Sequence, residues 1–550
     1  MKDIITIVIN NEKKKIRKNT TLKDLIKSLN LELYVILARV NGTIVEVNHE
    51  LTKDSYIEFI TLKDKLGIEA YKNGLKFLYI VAIKELFGEN SEVFIKHSLD
   101  KGLYTEVNLN KDITLETVKQ IKKKMKELVK EDISINKLSA LRKSAIEYFE
   151  ESKEYEKALN MKQINNEYIS MYELGGYYNY FYSYMPISTE ILNSFDLTFI
   201  EPNGIVLRFP LMDNAEVPKF TKRDKVLSVF KSYHEKIKTL DVNYVGDINY
   251  AVSHNGIGDL IQINELIHDE KMLNIADEIF SMKDKIKMIL IAGPSCSGKT
   301  TTSKKLSLYL KAKGINTFPI SIDDYFKERC ESPKDENGEY NYEGIDAIDL
   351  KLFSNHMKKL IEGKKVKLPT YNFVTGEKEY KRKEIKLENN TILIVEGLHA
   401  LNGMLTKDFS KESKFKIYIS PFTPLGVDRH NHISTLDLRL IRRLVRDYSH
   451  RGHSAEETLK TWESVRKGED EYIFPHQNEA NVVYNTALIY EIGVLKTYAE
   501  PLLYSINPES SVYEEAMRLT RFLECFFAIP ENLVPSTSIL REFVGKSYFE

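Results

Sequence analysis

Ile286–Thr302 reads IKMILIAGPSCSGKTTT, and its two halves carry different information. Ile286, Met288, Ile289, Leu290 and Ile291 make an apolar run dense enough for a strand buried on both faces. The next residues, Gly293-Pro294-Ser295-Cys296-Ser297-Gly298-Lys299-Thr300, fit G-x-x-x-x-G-K-[ST]. In such a turn, glycines let backbone N–H groups converge on phosphate oxygens, and the following helix offers its positive N-terminus. Lys299 is expected to reach the outer phosphates and Thr300 to give a hydroxyl to Mg2+, with Thr301 closing the cradle. The flanks agree: leucines recur among lysines from Lys304 to Lys313, Gly314 closes that helix, and a second apolar run spans Thr317 to Ile322.

A chain of 550 residues exceeds one core, and roughly 100–200 residues per domain predicts about three or four. Lys+Arg 79 against Asp+Glu 80 leaves no global field to recruit nucleic acid or a membrane, so any such partner must be met by a local patch. Cys296, Cys330 and Cys525 lie far apart with no C-x-x-C spacing, which argues for reduced thiols in a cytosolic protein. No cleavage-type leader and no run of 18 apolar residues is present, so a soluble, cytoplasmic, non-membrane protein is expected.

Residues 1–62 read as a small β-rich module. Ile4 to Ile9 alternates, Asn10-Asn11-Glu12 turns, a helix falls near Leu22 to Leu29, and strands follow at Tyr34 to Val40, Thr43 to Val47 and Tyr56 to Thr61. The run Lys13-Lys14-Lys15-Ile16-Arg17-Lys18 could meet RNA phosphates or simply form a solvated hairpin face. With the phrase Arg39-Val40-Asn41-Gly42, the order of elements resembles a TGS domain, the β-grasp module of threonyl-tRNA synthetases.

Residues 63–280 form a second region. Tyr79 to Phe87 has helical spacing, Phe94–Ile95 and Tyr104 to Val107 suggest strands, and Glu116 to Lys130 with Lys137 to Tyr155 suggest charged amphipathic helices. It resembles the second additional domain of threonyl- and alanyl-tRNA synthetases, an α+β editing module that holds zinc through H-x-x-x-H and C-x-x-x-H. Asn73 and Phe77 stand where the two histidines belong, and Tyr180 and Tyr184 at the cysteine and the last histidine. Phe and Tyr do not ligate zinc, so no zinc and no editing chemistry is expected. The run Tyr177 to Tyr184 could stack bases, or form a strand with aromatic cross-strand pairs; His97, with no second imidazole nearby in sequence, reads as a packing residue.

From 281 to 505, apolar runs alternate with helical patterns, the signature of a parallel sheet with helices on both faces. Asp323 and Asp324 follow the second strand, a polar stretch from Glu331 to Tyr340 is expected as a mobile loop, and Thr391 to Val395 is a buried strand ending in Glu396. A carboxylate closing an apolar strand is costly as filler and is suited to Mg2+. Arg439, Arg442, Arg443 and Arg446 share one helix face, with Asp437 and Asp447 the only acids nearby in sequence. Four such cations repel unless anions neutralise them, as transferring phosphates would beneath a closing lid. Residues 506–550 read as a helical tail whose aromatics pack on another domain.

Gly293 to Thr300, Ile322 to Lys327, Asn341 to Asp349, Pro369 to Phe373, Val395 to Gly397 and Arg439 to Gly452 occur in an order that resembles the uridine kinase and phosphoribulokinase family. The whole layout is similar to bacterial nucleoside kinase-like proteins in which a TGS domain and a degenerate synthetase-type domain precede the kinase. The resemblance implies a multidomain α/β fold with a P-loop kinase, using ATP and Mg2+ on a nucleoside-like acceptor. By position it implies Asp323 as catalytic base beside Lys299, Arg442 and Arg446, and Glu396 with Thr300 near the metal. It likewise implies Glu343, Tyr371, Phe373 and Arg439 on the acceptor. Gly376 stands where uridine kinases place a base-reading histidine, so a uridine-like nucleoside kinase with a relaxed or changed choice of base is expected.

Two other classes remain. One is an ATP-binding regulator associating with RNA or the ribosome through its front half; the other is a GTPase, disfavoured because Asn110-Lys111 and Asn136-Lys137 do not continue as N-K-x-D. Oligomeric state is not legible.

Overall fold

In the computed structural model the described residues are 4–31, 35–211, 216–334, 338, 340, 342–373, 375–388 and 390–549. Tyr34, residues 335–337 and 339 of the expected mobile loop, and Asn341 lie outside them. The chain forms two compact units. Among the described residues no helix is long and apolar enough to cross a membrane.

The first unit comprises Met1–Lys222, Asn243–Asp247 and Leu425–Ser434. Its five-stranded sheet runs in the order Glu12–Arg17, Ile4–Ile9, Ser55–Thr61, Val35–Val40, Thr43–Glu46, with Ile4–Ile9 and Ser55–Thr61 parallel. Ile5, Ile7 and Ile9 point inward, as the period-two pattern requires, and the helix Leu22–Ser28 is capped by the Thr21 hydroxyl accepting from the Asp24 N–H at 3.1 Å. This is a β-grasp layout. The lysine run forms the outermost strand, where charge suits an edge.

Behind it lies the helix Lys65–Phe87, far longer than the Tyr79–Phe87 segment that spacing suggested, because it is apolar on nearly all sides and sits in the core. Strands Glu92–Leu99 and Gly102–Asn108 join Asp196–Ile200 and Gly204–Arg208 in an antiparallel sheet. The helix expected over Lys137–Tyr155 is corrected: Ile135–Leu141 is a strand, and helix begins only at Arg142. Pairing with Tyr168–Leu174 along seven residues outweighs the helical charge pattern. In the tyrosine run only Tyr177–Asn179 is strand. Asn73 donates to the Tyr184 carbonyl at 3.3 Å, and the Phe77 ring packs 5.7 Å from that of Phe181.

The segment Leu425–Ser434 lies in this unit although the residues on either side of it, up to Pro424 and from Thr435, belong to the second. Its His430 Nδ1 accepts from the fully buried Lys157 ammonium at 2.6 Å, which also meets Glu154 at 2.6 Å and Asn179 at 2.5 Å. Burial first, then the Lys157 charge, hold His430 well below its ordinary value, so the ring is neutral and free to accept. His97 is not without an imidazole neighbour, since its charge bears on His432 of the same segment.

The second unit comprises Arg223–Val242, Ile248–Pro424 and Thr435–Glu550. Its central sheet has the order Asn316–Ser321, Thr391–Glu396, Met288–Ala292, Lys414–Ser420, Val482–Asn485, with every neighbour parallel. Along the middle strand Met288, Leu290 and Ala292 enter one core while Ile289 and Ile291 enter the other, so helices cover both faces. Residues before 280 also enter these cores. Val226 and Phe230 fill one, and Met272, Ile275 and Ile279 of the helix Ile257–Ser281 fill the other. The C-terminal tail packs within this same unit, with Ile539 in the second core.

Candidate active site

Because all five strands are parallel, their carboxyl ends share one edge, and the candidate residues gather there. The loop Gly293–Gly298 leaves the middle strand and enters the helix Lys299–Ala312. Gly298 has φ +85°, and a Cβ on Gly293 would lie 2.3 Å from the Ile419 carbonyl oxygen, so both glycines are required by this path. Cys296 also takes a left-handed φ of 60° and is buried, which fits the small residue expected there. Lys299 donates to the Gly293 and Pro294 carbonyls, each at 3.1 Å, while Thr300 is exposed at the first turn.

Asp323 lies in a short 3-10 turn after the edge strand, and Glu396 is the last residue of the neighbouring strand, in register with both Ser321 and Ile291. Both carboxyl groups are held above the ordinary carboxylate range, first by burial. Each is pulled back by Lys299, and Asp323 further destabilises the Glu396 anion. Two neighbouring acids that resist sharing a negative charge, Asp323 exposed and Glu396 half-buried, beside one ammonium, form a site suited to a cation. The donors present fit a phosphate-bound Mg2+, which needs only one or two carboxylates and keeps its waters. Among the described residues no cluster of three or more His, Cys, Asp or Glu is placed to hold a metal by itself. Asp324, by contrast, turns to Arg382 at 3.0 Å.

Glu343 is pushed up to about 7, chiefly by burial and then by Glu469 and Asp323. Its Cβ is packed so closely that a Cβ on Gly468 would lie 2.6 Å from it. Tyr371 and Phe373 have ring centroids 5.0 Å apart, both beside Phe326, and Phe373 is 59% exposed. An aromatic shelf with one open ring is suited to a flat ligand.

The arginine face requires correction. The helix is Thr435–Arg451, and Arg439 and Arg442 are fully buried on it, not solvated. Arg439 pairs with Glu469 and donates to the Ser295 carbonyl at 2.9 Å. Arg442 meets Glu491 at 2.6 and 3.0 Å and donates to the Cys296 and Thr486 carbonyls at 3.2 and 2.8 Å. The matching acids stand on other helices, 30 and 49 residues away, so i+4 spacing could not reveal them. Both guanidiniums thus brace the phosphate loop from behind. Asp447, also buried, gathers Arg443, Arg446 and Arg451 at 3.2, 2.8 and 3.6 Å. Arg446 and Arg451 both act on the Asp323 ionisation, which puts them within electrostatic reach of the site.

Sequence reading missed four groups. Glu469 accepts the Ser295 N–H at 2.8 Å, Glu491 anchors Arg442, and the buried His399 lies just past Glu396 and is held down to about 4 by burial. The fourth, Glu542 of the tail, accepts from Thr301. His399 follows a strand terminus and was visible in principle; the glutamates had no local signature.

Residues 288–488 match the family model described as the phosphoribulokinase / uridine kinase family. A uridine kinase from Staphylococcus aureus (strain JH9) is 30% identical over 199 residues, covering 36% of this chain and 86% of that enzyme. A threonine–tRNA ligase from Sulfurihydrogenibium sp. (strain YO3AOP1) is 31% identical over 172 residues, 30% of this chain, which spans 27% of the ligase's length. That similarity falls in the N-terminal part. A solved structure titled a possible uridine kinase from Bacillus stearothermophilus aligns with TM-score 0.27 at 18% identity, covering 39% of this chain and 98% of that one.

Proposed function

Since the chain belongs to the phosphoribulokinase / uridine kinase family, which supports ATP-dependent phosphotransfer, we propose that its acceptor is the hydroxyl of a nucleoside or related small metabolite. The observation that carries the reading is the convergence of Lys299, Asp323 and Glu396 at one edge of the parallel sheet, close enough for Lys299 to bear on the ionisation of both carboxyl groups and Asp323 on that of Glu396.

In this reading the loop N–H groups and Lys299 hold the phosphates, with Lys299 exchanging its two carbonyl partners for phosphate oxygens. Thr300 and Glu396 would hold Mg2+, which when bound neutralises charge on the phosphates. Asp323 accepts the proton of the acceptor hydroxyl; its raised affinity for protons favours that role. Arg446 stabilises charge on the transferring group, while Arg439 and Arg442 keep the loop in shape. Tyr371 and Phe373 stack on the acceptor and Glu343 takes its hydroxyls.

The test is ADP release with Mg2+ and ATP across a panel of nucleosides and small hydroxylated metabolites. Lys299→Ala and Asp323→Asn are each expected to lower turnover by roughly 10²–10⁴-fold on the best acceptor. Turnover unaffected by both substitutions defeats the assignment.

A further inference from the structure

The tail enters the phosphate loop. Thr301 is the third residue of the helix Lys299–Ala312, and its backbone N–H is one of the donors that a helix start leaves for an anion. That donor is taken by the chain's own Glu542, whose Oε2 accepts from the Thr301 N–H at 3.2 Å and from the Thr301 hydroxyl at 2.7 Å. A carboxylate at a helix N-terminus presents oxygens and charge much as a phosphate does.

The contact is built. Arg541 donates to the Glu531 and Val534 carbonyls at 2.9 and 2.6 Å, fixing the turn that carries Glu542. Ile539 packs so tightly that a Cβ on Gly298 would lie 2.7 Å from it, the Phe543 ring lies 4.9 Å from the Arg442 guanidinium, and Lys304 donates to the Phe549 carbonyl at 2.5 Å. Two donors of the loop are likewise occupied by protein, Lys299 by the Gly293 and Pro294 carbonyls and the Ser295 N–H by Glu469.

We propose that the C-terminal tail is an autoinhibitory strap: Glu542 occupies a nucleotide-phosphate position on the loop, and ATP binds only after displacing it. This rests on the nucleotide reading of the loop. A seated carboxylate brings no countercharge of its own, whereas phosphate arrives with bound Mg2+, so the exchange is favourable once nucleotide is abundant. The strap therefore lowers the apparent affinity by the fraction of molecules in which it is seated.

The experiment is calorimetric titration of the full chain with Mg-ATP, comparing wild type, Glu542→Gln, Glu542→Ala and Lys299→Ala. A strap seated in about nine molecules of ten predicts that both Glu542 variants bind ATP about tenfold more tightly, while Lys299→Ala binds more weakly. Wild type binding ATP with the Glu542 variants equal or weaker overturns the strap and leaves the nucleotide reading standing. No ATP binding by wild type or by either Glu542 variant overturns both. Hydrogen exchange of wild type is a second readout that needs no variant to fold: saturating Mg-ATP is expected to speed exchange in residues 538–549. Unchanged or slower exchange there refutes displacement.

Discussion

Arg442 separates a catalytic from a bracing role more sharply than any other residue. Its side chain is 0% exposed and that of Glu491 1%, with two hydrogen bonds between them and two more from the guanidinium to carbonyls, one of them in the phosphate loop. Arg442→Met leaves the Glu491 carboxylate buried with the Leu488 N–H at 2.8 Å still donating to it, and removing one partner of such a pair costs about 3–5 kcal/mol. Glu491→Gln should cost a similar amount, because Arg442 then keeps its charge with only neutral acceptors. The double substitution removes both charges, and its loss is expected to fall short of the sum of the singles by about 0.5–3 kcal/mol. Trp462, the chain's one tryptophan, is buried in this unit with the Arg439 and Arg443 guanidiniums 5.2 and 5.9 Å from its ring. Its fluorescence during urea unfolding therefore reports the relevant transition. If the single losses simply add, or if Arg442→Met reduces turnover while the urea midpoint stays put, Arg442 acts on phosphate directly and the bracing argument is wrong.

Three further outcomes are expected. Arg446→Ala, which removes a guanidinium within reach of Asp323, should lower turnover by roughly 10³-fold with a much smaller midpoint shift than Arg442→Met, measured in the same pair of assays. Glu343 is raised from 4.5 to about 7, so the stability tied to its neutral form is complete below the unfolded value and drains away as pH climbs through 7. The Trp462 midpoint should accordingly fall between about pH 5 and 8, and Glu343→Gln should flatten that slope; an unchanged slope refutes the assignment. Gly293→Ala forces a Cβ to 2.3 Å from backbone oxygen and 2.7 Å from Ser297 Oγ, so it should cost about 1–3 kcal/mol and abolish ATP binding, checked by urea titration and calorimetry.

Glu154, His430 and Lys157 illustrate how far local pattern reaches. Each reads as an unremarkable polar residue in its own stretch, yet they meet across 273 residues because Leu425–Ser434 leaves kinase-like sequence to join the first unit. The strand Ile135–Leu141 was likewise hidden, since its charged residues satisfy a helical period and only its partner Tyr168–Leu174 determines its state.

What the chain announced by itself was chemistry with a short range. The apolar run and glycine spacing of Ile286–Thr302, the acid closing Thr391–Glu396 and the alternation of Ile4–Ile9 depend on neighbours in sequence, so strand, loop and β-grasp module were legible without coordinates. Tertiary structure alone decided which arginines are buried, because burial of Arg439 and Arg442 depends on Glu469 and Glu491 arriving from other helices. It alone brought Glu542 to Thr301 across 241 residues. Charge compensation at a distance leaves no periodicity in a sequence; it exists only once the backbone has closed the space between the partners.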